Sequence, residues 1–392
     1  MVKINPQRLK TSLTELADLA RTPEGINRMT YTKAFWDSCK YVTQLMEDAG
    51  MTVRSNAVGN VVGTYPGKTQ RKLVIGSHID SVPNGGMFDG CLGVMAAIEA
   101  IHTLHEQGIQ LEHSVDVVAW AEEEGVVISG LMGSLAYCGL PLTPIQLEKI
   151  GDYHITLEDI QACKVQEPVD YSLELHIEQG GVLDQTKEDI GIVTAIVALK
   201  RYRVVIEGVA NHAGTTPMPL REDALVKAAA IFQRMSTLVQ EVDPEMVGTI
   251  GHVEIEPNAV NVVPGKVSMI WEFRAVKEES LEIAFERLKG EFQDIIASIT
   301  PIQYERAYHM DETAMEVIEQ ASKELGLRTR KMPSGAGHDT MCLAQITRPG
   351  MIFVPSVGGI SHSCKEWTHW EDVTNGANVL VNALLKLDQQ SQ

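Results

Sequence analysis

No apolar run in these 392 residues approaches the roughly 20 that a helix needs to cross a bilayer, which argues against a membrane-spanning helix. The N-terminal Met1-Val2-Lys3-Ile4-Asn5-Pro6 lacks the apolar stretch of a signal peptide, so none is expected. No Cys-x-x-Cys is present. The six cysteines, Cys39, Cys91, Cys138, Cys163, Cys342 and Cys364, lie far apart. That pattern argues against a small disulfide framework and fits a reducing cytoplasm with mostly buried thiols. Basic residues are in deficit, 33 Lys and Arg against 52 Asp and Glu, for a formal net charge of −19. Nucleic acid is bound through Lys and Arg that neutralise phosphates, so this balance argues against it as a partner. The acid excess ordinarily means solubility and leaves the sign of a local site open. Internal repeats and low-complexity segments are also lacking.

What is there reads as an ordinary globular chain, with 44% hydrophobic and 22% charged residues. Its length suggests two domains. Apolar spacing predicts a helix over Thr32 to Gly50, with Phe35, Cys39, Val42, Leu45 and Met46 on one face. Apolar runs predict strands over Asn60 to Tyr65, Leu73 to Ile79 and Val115 to Ala121, and Gly90 to Leu104 reads as a helix between the last two. Strand–helix–strand alternation points to an α/β sheet covered by helices. The middle of the chain differs. A long strand over Ile192 to Glu207, a helix over Arg221 to Val242, strands over Val247 to Ile255 and Val267 to Val276, a helix over Ser280 to Ile296 and a strand over Ile302 to Arg306 follow in turn. This β-α-β-β-α-β order is that of a ferredoxin-like unit. Mixed α/β then returns, with a helix over Glu312 to Leu325, a strand over Met351 to Pro355 and a helix over Gly376 to Leu387. The expected fold is therefore an α/β, mixed-sheet catalytic domain made of residues 1–192 and 304–392. An α+β domain of residues 193–303 is inserted in it.

The chemistry gathers near strand ends. His78 closes an apolar strand in Gly76-Ser77-His78-Ile79-Asp80. Asp80, two residues on, points to the same side and suits a carboxylate that orients a ligating imidazole. A lone pair of this kind is more commonly a satisfied strand contact. Asp89 follows in a Gly-rich turn, Gly85-Gly86-Met87-Phe88-Asp89-Gly90, and a carboxylate can bridge two cations. Glu122-Glu123-Glu124 directly follows another apolar strand. Three acids there repel one another unless they form a solvated turn or meet a cation, with one ligating and its neighbour accepting protons. His176 sits in strand-like Glu174-Leu175-His176-Ile177-Glu178-Gln179, and His362 in a Gly/Ser loop. A mixed N/O set suits Zn²⁺ or Mn²⁺ better than Ca²⁺ or Mg²⁺, and two such ions make a standard hydrolytic site.

Together GSHIDSVPNGGMFDG, AEEEG, ELHIEQG, NHAGTTPM and GISHS resemble the peptidase M20 superfamily, over nearly the whole chain. Within it the resemblance is to the amidase subgroup of N-carbamoyl-L-amino acid hydrolases, allantoate amidohydrolases and β-ureidopropionases. It implies a metal-dependent amidohydrolase with two divalent ions per subunit, Zn²⁺ or Mn²⁺, with Co²⁺ or Ni²⁺ as alternatives. His78, Asp89 and His176 look like the ligands of one ion, and Asp89, Glu124 and His362 those of the other. Glu123 looks like the general base and Asp80 the residue that orients His78. The inserted domain is implied to be a lid that brings His212, Asn261 and Arg274 to substrate. Gln179 and the loop Ser334-Gly335-Ala336-Gly337-His338-Asp339 would line the same pocket. A homodimer through the lid is implied, with the imidazole of His212 reaching the partner's site. The implied substrate is a small ureido carboxylate, with allantoate, N-carbamoyl-α-amino acids and N-carbamoyl-β-alanine all open. An N-acyl amino acid deacylase or dipeptidase is the enzyme alternative, and a non-catalytic metal-binding scaffold the other.

The residues themselves leave several of these roles open. His212 lies in a turn-rich loop after a strand and reads as available, with loop capping the alternative. Arg274, mid-strand, could pair with Glu272 or Glu254 across the sheet. His102, His105, His113, His154, His309 and His369 read as surface residues, and His252 as a lid-strand residue. One departure stands out. The family usually follows its acidic pair with Gly-x-Arg-Phe, where this chain has Gly125-Val126-Val127-Ile128-Ser129. If those positions touch substrate, its polar portion is expected to differ.

Overall fold

The computed structural model describes residues 1–390. The chain divides into two compact units, residues 1–194 with those from 309 onward, and residues 195–308. No described helix is long and apolar enough to cross a membrane.

The first unit opens on helix α1 (Pro6–Asp18), which the apolar spacing did not announce. Its start is a capping signal: Asn5 accepts from the backbone N–H of Gln7 and Arg8, and Pro6 occupies the first turn. Helix α2 (Lys33–Asp48) follows, capped by Thr32. Then come β1 (Thr52–Ser55), β2 (Val61–Tyr65), β3 (Lys72–His78), α3 (Cys91–Glu106), β4 (Ser114–Trp120), β5 (Val169–Ile177) and β6 (Ile190–Ile196). Strands β3, β4 and β5 are buried almost from end to end, as parallel strands covered on both faces must be. Helix α3 is buried nearly all round, so its sequence shows little of the one-sided patterning of a surface helix.

The second unit holds β7 (Ala198–Glu207), α4 (Ala224–Val242), β8 (Val247–Glu256), β9 (Lys266–Ala275), α5 (Glu278–Glu291) and β10 (Ile296–Glu305). Its four-stranded antiparallel sheet has the order β8-β9-β7-β10. Side chains alternate along β9. Val267, Met269, Trp271, Phe273 and Ala275 join a core with Ala228, Ile231 and Met235 of α4 and Leu281 and Leu288 of α5. The alternate residues, including Glu272 and Arg274, face the other side of the sheet and are less buried.

The chain returns to the first unit with α6 (Glu312–Glu324), β11 (Thr329–Ser334), β12 (Arg348–Val354) and α7 (Trp370–Gln389). Among the described residues its large mixed sheet has nine strands. From one edge, a short strand at Tyr308–His309 is followed by β6, β12, β5, β3, β4, β2 and β1, with β11 paired to β6. The centre, β12-β5-β3-β4, is parallel. Its register places His78 beside Trp120, and His176 beside Phe353. All four strands therefore end on the same side, and the carboxyl edge of such a sheet is where loops build sites.

Four expected elements differ. The single strand over Ile192 to Glu207 is two strands, β6 and β7, separated at Val197 and belonging to different sheets. A continuous apolar run cannot show that break. The helix expected to reach Ile296 stops at Glu291, and the strand after it starts at Ile296 rather than Ile302. Ile295, Ile296 and Ile299 pack on the core, and β-branched residues suit a pleated surface better than a helix turn. The last helix starts at Trp370, six residues before Gly376.

His113 also differs, because it is buried rather than on the surface. Its Nδ1 lies 2.9 Å from Asp388 of α7 and its Nε2 3.0 Å from Asp170 of β5. Asp388 further accepts from the backbone N–H groups of Glu112 and His113. The last helix is thus tied to the start of β4 by buried polar bonds. Removing one partner leaves the others desolvated and unpaired, so Asp388→Ala should destabilise the fold by about 3 kcal/mol. Equilibrium denaturation in urea checks this, and an unchanged midpoint would contradict it.

Candidate metal centre

Each candidate ligand is delivered by the carboxyl end of a central strand or the loop after it. His78 is the last residue of β3, and its Nδ1 lies 3.1 Å from the backbone carbonyl of Asp80. His176, next to last in β5, has its Nδ1 2.9 Å from the carbonyl of Ile177. A carbonyl only accepts, so both rings carry their proton on Nδ1 and turn the Nε2 lone pair inward. These two Nε2 atoms are 3.5 Å apart. They lie 3.7 and 3.3 Å from Oδ1 of buried Asp89.

Asp89 faces a second group with its other oxygen. His362 Nε2 is 3.3 Å from Asp89 Oδ2 and 3.5 Å from Glu124 Oε2. Ligand atoms of His78, Asp89 and His176 can therefore meet one ion, and those of Asp89, Glu124 and His362 another, with Asp89 common to both. His78, Glu123 and Glu124 form a further such group between them. Glu123 Oε2 lies 3.9 Å from His78 Nε2.

The donor chemistry fits divalent cations. Imidazole nitrogens and carboxylate oxygens converge on the same small space. Hydrogen donors around them include the Gly90 amide, 3.3 Å from His176 Nε2, the Gln179 side-chain amide, 3.1–3.4 Å from Asp89 and His362, and the Ser361 hydroxyl, 3.4 Å from Asp89 Oδ2. Glu124 Oε1 is buried without a hydrogen-bond partner, a costly arrangement unless a cation meets it. Titration follows the same crowding. Burial, and then Asp89, push the Glu124 carboxyl up to about 7. Burial raises Glu123 well above the usual carboxylate range, with His78 opposing and Glu124 adding to the shift. Hydrogen bonding to Asp89 raises His362 to about 9.

Asp80 faces His78 as expected, with its backbone closer than its side chain. The contact with His78 Nδ1 is its backbone carbonyl, and its carboxylate is 3.7 Å away. That carboxylate also accepts the backbone N–H of Glu123 and of Glu124, both at 3.1 Å. It thereby fixes the turn from which the two acids diverge. Glu122, first of the three, is not in the cluster. It adopts a left-handed φ of 60° and accepts from the amides of Val127 and Ile128. The segment that lacks Arg-Phe is folded over this side chain, with Ile128 in a small core and Val126 exposed.

The other expected pocket residues are mixed. Gln179, also left-handed at 58°, is placed against Asp89 and His362. Ser334 is buried and its hydroxyl is used within its own loop, by Ala336 and His338, while Gly335 lies exposed beside it. In the second unit His212 Nδ1 accepts from the amides of Gly214 and Thr215. It does cap its loop, and this leaves Nε2 to carry the hydrogen. Asn261 is next to it, through a bond from the Ala213 amide to the Asn261 carbonyl. Arg274 has a local partner after all, donating from Nε to Glu272 at 2.8 Å. Glu254 pairs instead with His252, 3.2 Å away.

Sequence reasoning missed several supports. Glu174 accepts from Ser77 and Thr340 beneath the site. Glu178 accepts from the amides of Val182 and Leu183. Glu366 accepts from the amides of Phe88 and Asp89, and burial followed by Asp89 pushes it up to about 7. Glu174 and Glu178 lie inside a motif already noticed, so an acid in a buried strand was the available signal. Glu366 carried none.

The pattern of peptidase family M20/M25/M40 matches residues 74–386. An N-carbamoyl-L-amino-acid amidohydrolase of Paenarthrobacter aurescens is 34% identical, covering 99% of this chain and 99% of that protein. An allantoate amidohydrolase of Bacillus subtilis is 32% identical, covering 97% and 98%. The solved amidase of the hydantoinase/carbamoylase family from Burkholderia multivorans superposes with a TM-score of 0.90 at 32% identity, covering 98% of each chain.

The shared position of Asp89 yields a prediction. Asp89→Ala should abolish divalent-metal binding, whereas His362→Ala should leave roughly half the wild-type content. Elemental analysis of the purified variants reads this out. Wild-type content in Asp89→Ala would show that the carboxylate is not common to two ions.

Proposed function

The chain belongs to peptidase family M20/M25/M40, and on that premise we propose that this hydrolase of linear amides removes the carbamoyl group from a small ureido carboxylate, an N-carbamoyl amino acid or an allantoate-like compound. The observation that carries the reading is Asp89, set between two groups of acceptors, with Glu123 alongside. The relatives named for N-carbamoyl-L-amino acids and for allantoate align over almost all of their length.

His78, Asp89 and His176 would hold one ion and Asp89, Glu124 and His362 the other. Two divalent ions, Zn²⁺ or Mn²⁺, with Co²⁺ or Ni²⁺ as alternatives, supply carbonyl polarisation and a water of lowered pKa when bound. Glu123 takes the proton of the attacking water. Water adds to the ureido carbonyl, and the bond from that carbon to the amine nitrogen breaks. Glu123 returns the proton to the departing amine. The carbamate released decays to carbon dioxide and ammonia. His212, with its hydrogen on Nε2, serves as donor to the oxyanion of the tetrahedral stage. Arg274 and Asn261 hold the substrate carboxylate.

In this reading residues 1–192 and 304–392 form the catalytic domain, and residues 193–303 form a ferredoxin-like lid through which two chains pair, His212 of the partner subunit serving each site. The strand order of the second unit supports the ferredoxin-like description. Strand β8 is an edge strand, and beside it lies an open pocket of about 210 Å³ lined by Phe232, Met235, Ser236, Gly248, Ile250 and Val253. Pairing would cover both.

Glu123→Gln keeps the shape and removes the base. It should lower kcat at least ~10²-fold while metal content stays near that of the wild type. Loss of metal in Glu123→Gln, with retention in Glu124→Gln, would exchange the two roles.

The activity itself is tested by a substrate panel with the purified chain and added Mn²⁺, Co²⁺ or Zn²⁺. Ammonia release from N-carbamoyl amino acids or allantoate is expected, and its loss on chelation. Release of amino acids from dipeptides or N-acyl amino acids, with no ammonia from ureido substrates, would overturn the carbamoyl reading in favour of a deacylase or dipeptidase.

A further inference from the structure

We propose that Glu366 is a positioning residue for the metal centre, a buried carboxylate that locks the turn carrying Asp89 to the loop carrying His362. The inference rests on the two-ion reading above.

Glu366 is 4% exposed and lies four residues beyond His362. Its Oε1 accepts the backbone N–H of Phe88 at 3.2 Å and of Asp89 at 3.1 Å. Its Oε2 accepts the Ser361 hydroxyl at 3.0 Å, and that hydroxyl lies 3.4 Å from Asp89 Oδ2. Every one of these partners is a donor, so the position calls for a group that only accepts. Bonds from backbone amides to a carboxylate are also among the stronger ones. The residue belongs to none of the groups of described His, Cys, Asp and Glu side chains that could hold an ion. It acts on ligands from behind them.

A second observation points the same way. A Cβ on Gly86 would lie 2.2 Å from Glu366 Oε1 and 2.5 Å from its Cβ. The turn before Asp89 is therefore built with room for this carboxylate and for nothing more. Phe88 meets Trp367 and Trp370 edge-on, each at 5.4 Å, and closes the same seam on its apolar side.

The need for such a lock follows from the ligands. Asp89 sits on a turn between β3 and α3, and His362 on a loop beyond β12, next to Ser361, which is 272 residues later in the chain than Asp89. His362 is half-exposed and in the left-handed region, with φ of 52°. Its ring gains little from packing, so the spacing between the two ligand loops depends on what joins them. Groups that orient ligands in this way commonly change metal affinity when removed.

The test uses the full chain, stripped with a chelator and titrated with Zn²⁺ or Mn²⁺ against a chromogenic competitor. Glu366→Ala should weaken metal binding about 10–100-fold. Glu366→Gln keeps a carbonyl oxygen for both amides and should recover most of the loss. Ser361→Ala removes one of the three bonds and should weaken binding about 10-fold, at the low end of the same range. Melting of the metal-free proteins separates folding from affinity. Should Glu366→Ala not fold, Ser361→Ala against the wild type still decides. Wild-type affinity in Ser361→Ala and in any folded Glu366→Ala would overturn the proposal and leave the metal centre standing. A wild-type chain that binds no divalent ion would remove the two-ion reading and this inference with it.

Discussion

Buried hydrogen-bond acceptors facing one another with few donors between them are the constraint on which this structure turns. Two imidazole nitrogens with inward lone pairs, both oxygens of Asp89 and the carboxylates of Glu123 and Glu124 share a small volume. Like groups at such spacing repel, and burial raises the cost by withdrawing water. The rest of the first unit keeps them together all the same. Four parallel strands end at one edge, and their burial on both faces commits the loops after them to that edge.

The backbone around the cluster is held by acids that do not face it. Asp80 spans the amides of Glu123 and Glu124, Glu122 closes the turn beyond them, and Glu178 accepts from the two amides at the start of a short helix. Glu366 spans Phe88 and Asp89. In each case one carboxylate collects two neighbouring N–H groups, the arrangement that most economically fixes a tight turn, since a single rigid group satisfies two donors that have no strand or helix partner. A composition with 52 acids therefore has a use inside the fold as well as on its surface.

The second unit is built on another logic. Its sheet has one face against two helices and one face without them, so β9 alternates between core residues and a row that includes Glu272 and Arg274. Arg274 is consequently part of an ion-pair group with Glu272 and Arg201. His212 likewise does two things at once, since its Nδ1 shapes the loop and thereby sets which nitrogen bears the hydrogen.

Much of this was legible in the amino-acid order. Parallel strands buried on both faces write themselves as unbroken apolar runs, so β3 and β4 were readable to within a residue or two. Residues with ligand chemistry stood immediately after such runs because strand ends are where a buried chain first reaches a loop. The split of one apparent strand into β6 and β7 was not legible, because two successive strands in different sheets have the same apolar character as one. Nor was the burial of His113, whose partners Asp170 and Asp388 lie far away in sequence. The sequence by itself determined which residues could bind or transfer protons and which segments could be strands. Only the tertiary structure decided that Asp89 stands between two groups of acceptors, that Asp80 grips the turn of Glu123 and Glu124 with its carboxylate, and that Glu366 reaches back across 277 residues to the amide of Asp89. The reason is that hydrogen-bond direction and shared position are properties of atoms brought together from distant parts of the chain, and no local pattern of residues records them.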